Sequence, residues 1–489
     1  MKNWFANFYS VSEKRILLCS LLLGLLTFFA SAPFFVWVFL LLPFGFLADI
    51  LYNANNTKQR FFRLFVFLLG YHFANFHWML FALTTDSIYY WIIPFGAIFI
   101  CGTFAIMCSF AMLPYLFLAK KYSSVLLTYF GISLGWILFE FIKGYFPFGG
   151  LPWQGIGMIF AGHDYLIQIS SIFGIFGCNI IAILLGLSPF LMLRLKKARY
   201  IIILLLILSY LGLFFYGYNR LSNAKKATEF YDLPIIGMQS NIDIQTIMKN
   251  TNDDRGVLKY IEDSQIATEL PHKDILLVWP ESAIGAYSDF GLNQKDIFKN
   301  LMKVMPKNIK YMLFGSLYFK KKEGQFFNRI SLINRKGEII DFYDKIKLVP
   351  FGEYIPPRNF FPFLTQKITG GMIDITAGKE YKLIDIDGIK IAPLICFESI
   401  FAGRIFAEKI KDADVIVQVT NDGWFGNSVG PYQHLAFSKM LSVSYKTPFI
   451  RVSNNGVSAV YNEYGILQQS TILNTSSFVY MPNLPKKQQ

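Results

Sequence analysis

The first 218 positions of this chain are dominated by stretches of mainly apolar residues, each about as long as a bilayer-crossing helix. They run at roughly 16–32, 34–51, 61–83, 91–118, 122–142, 166–193 and 199–217, and a spanning helix needs about 20 such residues. In hydrocarbon every backbone N–H and C=O must be satisfied within the segment, so these stretches predict seven helices. The first is not a cleaved leader. It lacks a small-residue cleavage site before polar sequence, and a second apolar stretch follows at once. Composition agrees: 54% of the 489 residues are hydrophobic and 16% charged, against roughly 25% charged in soluble domains.

Basic residues alternate between the connections. Lys2, Lys14 and Arg15 precede the first stretch, and the turn at Ser31–Pro33 has none. Lys58, Arg60 and Arg63 follow, then none over Thr84–Tyr90. Lys120 and Lys121 come next, then a long loop with only Lys143, then Arg194, Lys196, Lys197 and Arg199. By the positive-inside rule the N-terminus is cytoplasmic, and seven crossings carry everything after about residue 218 to the other side. This distribution accounts for the net charge of +14. There is no basic, aromatic-interleaved groove, which argues against nucleic acid as a partner. The spans carry almost no paired charges at mid-membrane depth, which argues against a transporter. The loop from Gly144 to Tyr165 is rich in Gly, Pro and aromatics. It suits either an interfacial anchor or part of a lipid-binding cleft.

From Tyr231 the pattern changes. Short β-branched runs at 233–239, 274–281, 311–316, 329–334, 389–398, 414–420 and 447–455 alternate with helix-like segments such as 254–270 and 431–445. Continuous apolar strands between helices predict a layered α/β domain with sheets buried on both faces. The organisation expected is a helical membrane domain over 1–218, an α/β domain over 226–480 and a polar tail over 481–489.

Of five cysteines, Cys19, Cys101, Cys108 and Cys178 lie in apolar stretches, where a thiol acts as a small hydrophobe. No C-x-x-C pair points to zinc or a redox dithiol. Cys396, in "PLICFES", ends an apolar run just before polar residues, beside Glu398. Ligand sites of layered α/β proteins gather at such strand ends. Glu281, in "VWPESAI", also ends a run, with Pro280 turning the chain. A carboxylate in a largely apolar wall would be able to take a thiol proton near neutrality. Lys345 and Lys347, in "FYDKIKLVPFGEYIP", share one face of a regular strand. Either ammonium, near the thiol, would favour the thiolate and stabilise an oxyanion; spacing does not choose between them. Glu353 is placed to orient the lysine or an entering amine. His434 is the best candidate base for a Cys–His scheme, but it is expected instead to satisfy a helix near the site.

The order Glu, Lys, Cys, each at a strand end, resembles the nitrilase superfamily. "WPES", "YDKIKLVPFGEYIP", "ICFES" and "TNDGWFG" are similar to its glutamate, lysine, cysteine and post-cysteine motifs. With "GPYQH", "SNNGVSAV" and "FGGLPW", nearly the whole chain resembles the apolipoprotein N-acyltransferase family. That resemblance implies an αββα sandwich on the periplasmic face of an inner-membrane helical domain. It implies Glu281 as base, Lys345 rather than Lys347 as oxyanion support, and Cys396 as acyl carrier. It also gives site roles to Glu353, Phe397, Glu398, Asn421, Asp422 and Trp424. The expected donor is a phospholipid and the acceptor a diacylglyceryl apolipoprotein, with no metal or cofactor. A membrane-tethered amidase or nitrilase-type hydrolase on the same triad is the alternative.

The chain departs from the family pattern in places. Phe397 stands where many members have tyrosine. Leu441 and Ser444 fall where an arginine and a glutamate are common, and Met248 lies near a frequent tryptophan. The chain ends at "VYMPNLPKKQQ", without the C-terminal spanning helix of many members. The apolar segment "YIPPRNFFPF", followed by "TGGM", reads as an arm over the site. Phe360, Phe361 and Phe363 would be its exposed patch and Gly370 and Gly371 its hinges.

Overall fold

The computed structural model describes residues 12–84, 87–153, 155–224, 229–243, 255–288, 294–356 and 374–487. The chain divides into two compact units between Ser222 and Asn223.

Helices occupy all seven apolar stretches of the first unit. They are α1 (Glu13–Leu26), α2 (Val38–Tyr52), α3 (Thr57–Phe76), α4 (Ile93–Ala111), α5 (Leu113–Lys121), α6 (Val125–Lys143), α7 (Ser170–Arg194) and α8 (Arg199–Ser222). The stretch at 91–118 breaks at Met112, after which the short α5 begins with Pro114 in its first turn. Among the described residues, five helical stretches are long and apolar enough to cross a membrane. The first two helices are shorter, at 14 and 15 residues. Small residues let helices approach closely where no hydrophobic effect drives them together. A Cβ on Gly24 of α1 would collide with the Phe67 carbonyl of α3, and one on Gly70 of α3 would collide with the Leu21 carbonyl. One buried ion pair lies inside this unit near the end of α6. Lys143 lies 2.9 Å from Glu140 and donates to the Trp153 carbonyl at 3.1 Å. In the 144–165 loop Tyr145 and Phe146 are exposed, whereas Trp153 and Ile156–Ala161 are buried.

The second unit holds two six-stranded sheets. One contains β1 (Ile235–Gln239), β2 (Ile275–Ser288), β3 (Ile309–Lys320), β4 (Gln325–Asn334) and β5 (Ile339–Asp344). The other contains β6 (Ile384–Ile386), β7 (Ile389–Ile395), β8 (Val415–Thr420), β9 (Phe449–Ser453), β10 (Ala459–Tyr461) and β11 (Leu467–Ser470). A later strand, β12 (Ser477–Met481), returns to the first sheet. The orders are β12-β1-β2-β3-β4-β5 and β11-β10-β9-β8-β7-β6. Each sheet has a parallel trio, β1-β2-β3 and β9-β8-β7, flanked by antiparallel strands. All residues of β1 and β8 are buried, as a strand covered on both faces requires.

The sheets pack face to face, and Val452 of β9 fits against Gly237 of β1, where a Cβ would collide with the valine. Outside the first sheet, Tyr260 of α9 (Arg255–Ser264) and Phe298 and Met302 of α10 (Gln294–Val304) join one core with Ile236, Trp279 and Phe314. Helix α11 (Gly430–Tyr445) lies on the second sheet. The layers are therefore helix, sheet, sheet, helix. Leu484–Pro485 pairs with Phe230–Tyr231, so paired structure extends past the boundary at 480 read from sequence.

Candidate active site

The site forms where the parallel trios end. Cys396 is the first residue after β7 and opens a 3-10 turn, Cys396–Phe401. Its φ is +50°, a left-handed conformation costly for a residue with a Cβ. The elbow is held from both sides. The Cys396 carbonyl accepts from Gln418 Nε2 at 2.9 Å and lies 3.1 Å from His434 Nε2. The Ile395 N–H donates to Glu398 Oε2 at 3.0 Å. Burial pushes the Cys396 thiol up and Glu281 adds to this, while Lys345 and a hydrogen bond with Thr420 pull the other way. Both the ordinary thiol range and this upward push favour the protonated form, so an attack by this sulfur would need a base.

Glu281 was expected at a strand end in an apolar wall. Both parts of that reading need correction. Strand β2 runs on to Ser288, with its pairing to β3 slipping between Trp279 and Ile284. Pro280 has no N–H to give the ladder, and Ser282 takes a φ of +58°. Gly315 of β3 makes room for this bulge, since a Cβ there would lie 2.5 Å from Glu281 Cα. The carboxylate meets donors rather than hydrocarbon. Oε1 accepts from Asn328 Nδ2 at 2.8 Å and Lys345 Nζ at 3.3 Å, and Oε2 accepts from the Asn421 N–H at 3.0 Å.

The structure also separates the two lysines. Lys345 follows β5, is 1% exposed, and donates to Glu353 Oε1 at 3.0 Å as well as to Glu281. Burial works against its charge, but Glu353 and then Glu281 outweigh this and raise it above the ordinary lysine value. Lys347 turns away and lies over the Phe401 ring at 5.2 Å. Glu353 has both oxygens committed: Oε1 to Lys345 and to Asn328 Nδ2 at 2.8 Å, Oε2 to the Val349 N–H at 2.8 Å. These contacts set its carboxylate against the Lys345 ammonium.

Glu398 ties the cysteine elbow to the lysine loop. Besides Ile395, it accepts from Tyr343 Oη at 2.7 Å and from the Ile346 and Lys347 N–H groups at 2.8 and 3.2 Å. Burial raises it to about 7, against the pull of these donors. Phe397 is buried with its ring edge-on to Phe401. Trp424 lies partly exposed in the turn Asp422–Phe425, which Asn421 caps by accepting from the Gly423 N–H. Asp422 lies 3.0 Å from His434 Nδ1 and pairs with Arg451 Nη2 at 2.5 Å. Burial opposes its charge, yet Arg451 and His434 bring it down to about 2. His434 therefore meets the backbone of Cys396 and Asp422, as a satisfied helix residue does. Phe360, Phe361, Phe363, Gly370, Gly371 and Met248 lie outside the described residues.

Sequence reading missed Asn328, Gln418, Thr420 and Arg451. Gln418 and Arg451 carried a faint signal, each a long polar side chain flanked by apolar residues in a buried strand; Asn328, in a strand that also holds Arg329 and Ser331, carried none. Among the described residues no group of His, Cys, Asp and Glu is arranged to hold a metal.

The model of the carbon-nitrogen hydrolase family matches residues 235–483. That of the apolipoprotein N-acyltransferase N-terminal domain matches residues 23–188. The apolipoprotein N-acyltransferase of Rickettsia prowazekii is 30% identical over 480 residues, 95% of this chain and 91% of the relative. The enzymes of that name from Rhizobium rhizogenes and Geobacter metallireducens are each 28% identical, over 85% and 86% of this chain and 78% and 80% of the relatives. With an α/β unit of hydrolase type following a helical unit that matches the same family, the chain belongs to the apolipoprotein N-acyltransferase family of acyltransferases.

Proposed function

We propose that this chain transfers an acyl chain from a phospholipid to the N-terminal amine of a diacylglyceryl-cysteine lipoprotein, through a thioester on Cys396. The observation that carries this reading is the sharing of Lys345 by Glu281 and Glu353, at 3.3 and 3.0 Å, within electrostatic reach of Cys396.

Glu281 takes the thiol proton as sulfur attacks the ester carbonyl. Lys345 and the N–H following Cys396 stabilise the oxyanion. The intermediate collapses, the ester C–O bond breaks, and Glu281 returns the proton to the departing lysophospholipid oxygen. The lipoprotein amine then attacks the thioester, loses its proton to Glu281 and expels the thiolate. An amide is more stable than a thioester, which drives this second half. A fixed cation in a site shielded from water stabilises developing charge more than one in bulk solvent.

Within this reading the apolar helices lie in the bacterial inner membrane, with the N-terminus cytoplasmic and the α/β unit periplasmic. The alternation of basic loops supports that orientation. The donor also argues for a membrane enzyme, since each buried CH₂ holds a lipid in the bilayer by about 0.8 kcal/mol.

The test is mass spectrometry of the full-length protein after incubation with phospholipid and no acceptor. The wild type should carry one acyl group on the Cys396 peptide, discharged by a lipopeptide amine, and Cys396→Ser should form no thioester there. A wild type that turns over lipid without acyl accumulating on Cys396 would favour a hydrolase and overturn the reading.

A further inference from the structure

We propose that the Thr420 hydroxyl is a further catalytic group, donating its proton to the Cys396 sulfur as the thiolate forms and to Asp422 otherwise. This rests on Cys396 being the reacting thiol, as in the function proposed above.

The placement follows from sheet register. Strands β7 and β8 run parallel with Ile395 opposite Val419. The next residue on each, Cys396 and Thr420, therefore leave the sheet side by side. Thr420 is wholly buried. Its hydroxyl donates to Asp422 Oδ1 at 3.0 Å, and the register sets it beside Cys396, whose thiol it helps pull down; a hydroxyl has one proton to donate. Asp422 does not depend on it, because His434 Nδ1 meets Oδ1 and Arg451 Nη2 meets Oδ2. The proton is free to follow the charge.

The sulfur needs such a donor. The charged groups facing it are Glu281 from β2, Asp422 from the turn after β8, and Lys345 from the loop after β5. Two are anionic, and the single cation is shared between Glu281 and Glu353. With Cys396 only 7% exposed, water supplies little. A neutral hydroxyl stabilises the thiolate without adding charge to a site that already holds Lys345. The step needs only rotation about the Thr420 Cβ–Oγ1 bond. The hydroxyl proton stays on oxygen, and the thiol proton goes to Glu281.

The test follows alkylation of Cys396 by iodoacetamide against pH in the full-length protein, read on the Cys396 peptide by mass spectrometry. Thr420→Ala and Thr420→Val should move the rise in rate upward by about one pH unit, a roughly tenfold loss of thiolate. Thr420→Ser should keep the wild-type profile. Ser and Ala leave cavities of similar size, so they differ mainly in the hydroxyl, and Val covers any failure of the smaller variants to fold. Profiles for Ala and Val that overlay the wild type would overturn the proposal. So would a Ser variant shifted as far as Ala, which would assign the effect to the lost methyl. Alkylation does not require lipid transfer. A shift seen without any Cys396 thioester would uphold Thr420's role and count against the acyl-transfer reading alone.

Discussion

Asn328 Nδ2 donates to Glu281 and to Glu353, at 2.8 Å each, so one amide group spans the two carboxylates that also share Lys345. The two acids are thereby held together by a neutral and a cationic donor. Asn328→Ala removes the neutral one and should lower turnover by roughly 10- to 100-fold, the scale on which misplacing an active-site group acts. Asn328→Asp keeps the shape but sets a third carboxylate against the other two, and should fall further. Steady-state transfer from phospholipid to a lipopeptide ranks the variants. An Asp variant as active as Ala would show that charge at this position does not matter.

Gly315 bears on the same carboxylate from the neighbouring strand. A Cβ there would lie 2.5 Å from Glu281 Cα and 2.6 Å from the Pro280 carbonyl, both backbone atoms that cannot swing aside. Gly315→Ala should cost about 1–3 kcal/mol of stability, the usual scale of overpacking. Its effect on turnover should exceed its effect on thermal midpoint, because the strand that shifts carries Glu281. Normal kcat in a destabilised variant would mean that the bulge relaxes without moving the carboxylate.

In the helical unit, contact between α1 and α3 depends on absent side chains. Gly70→Ala would drive a methyl into the Leu21 carbonyl and should lower the thermal midpoint and yield of the full-length protein. A methyl added at Gly102 of α4 would meet nothing within 4 Å. Gly102→Ala should be neutral or stabilising, since alanine is favoured over glycine in a helix by up to about 1 kcal/mol. Equal losses in the two variants would point to glycine flexibility rather than close packing.

Much of this architecture was legible in the sequence because it rests on burial, which leaves a pattern. Seven apolar stretches became helices, and the runs at 414–420 and 447–455 became the buried strands β8 and β9. The strands not foreseen, such as β6 and β11, are short and alternate buried with exposed residues or are largely exposed. Little in them stands out from loop sequence. The reach of β2 was misjudged because Pro280 normally breaks pairing; here a bulge accommodates it. At the site, charged residues at strand ends were visible, but their partners were not. Asn328 and Arg451 lie far from Glu281 and Asp422 in sequence, and only the sheet register brings them together. Residue spacing left Lys345 and Lys347 equal, and only the resemblance preferred Lys345; their divergence arises in a loop that leaves the strand geometry.

Glu398 offers a pH-dependent test of how the cysteine elbow is held. It is fully buried and raised to about 7 from its ordinary 4.5, with burial as the largest cause and Tyr343, Ile395 and Ile346 resisting. Between those two values the folded protein holds a proton that the unfolded chain has released. The stabilisation is therefore fully present below 4.5 and is lost as pH rises through about 7. Over that window it amounts to roughly 3 kcal/mol. Glu398→Gln cannot ionise, so titrations common to both proteins cancel in the comparison. The substituted amide also sets an NH₂ where the carboxylate accepted N–H groups, so the variant should be impaired in transfer at every pH. Thermal midpoints of the two proteins at about pH 5 and pH 8, on either side of the folded value, supply the measurement. The wild type should lose ground to the variant on going to the higher pH. Midpoints that move in parallel would mean that Glu398 keeps one charge state throughout, with its backbone donors outweighing burial.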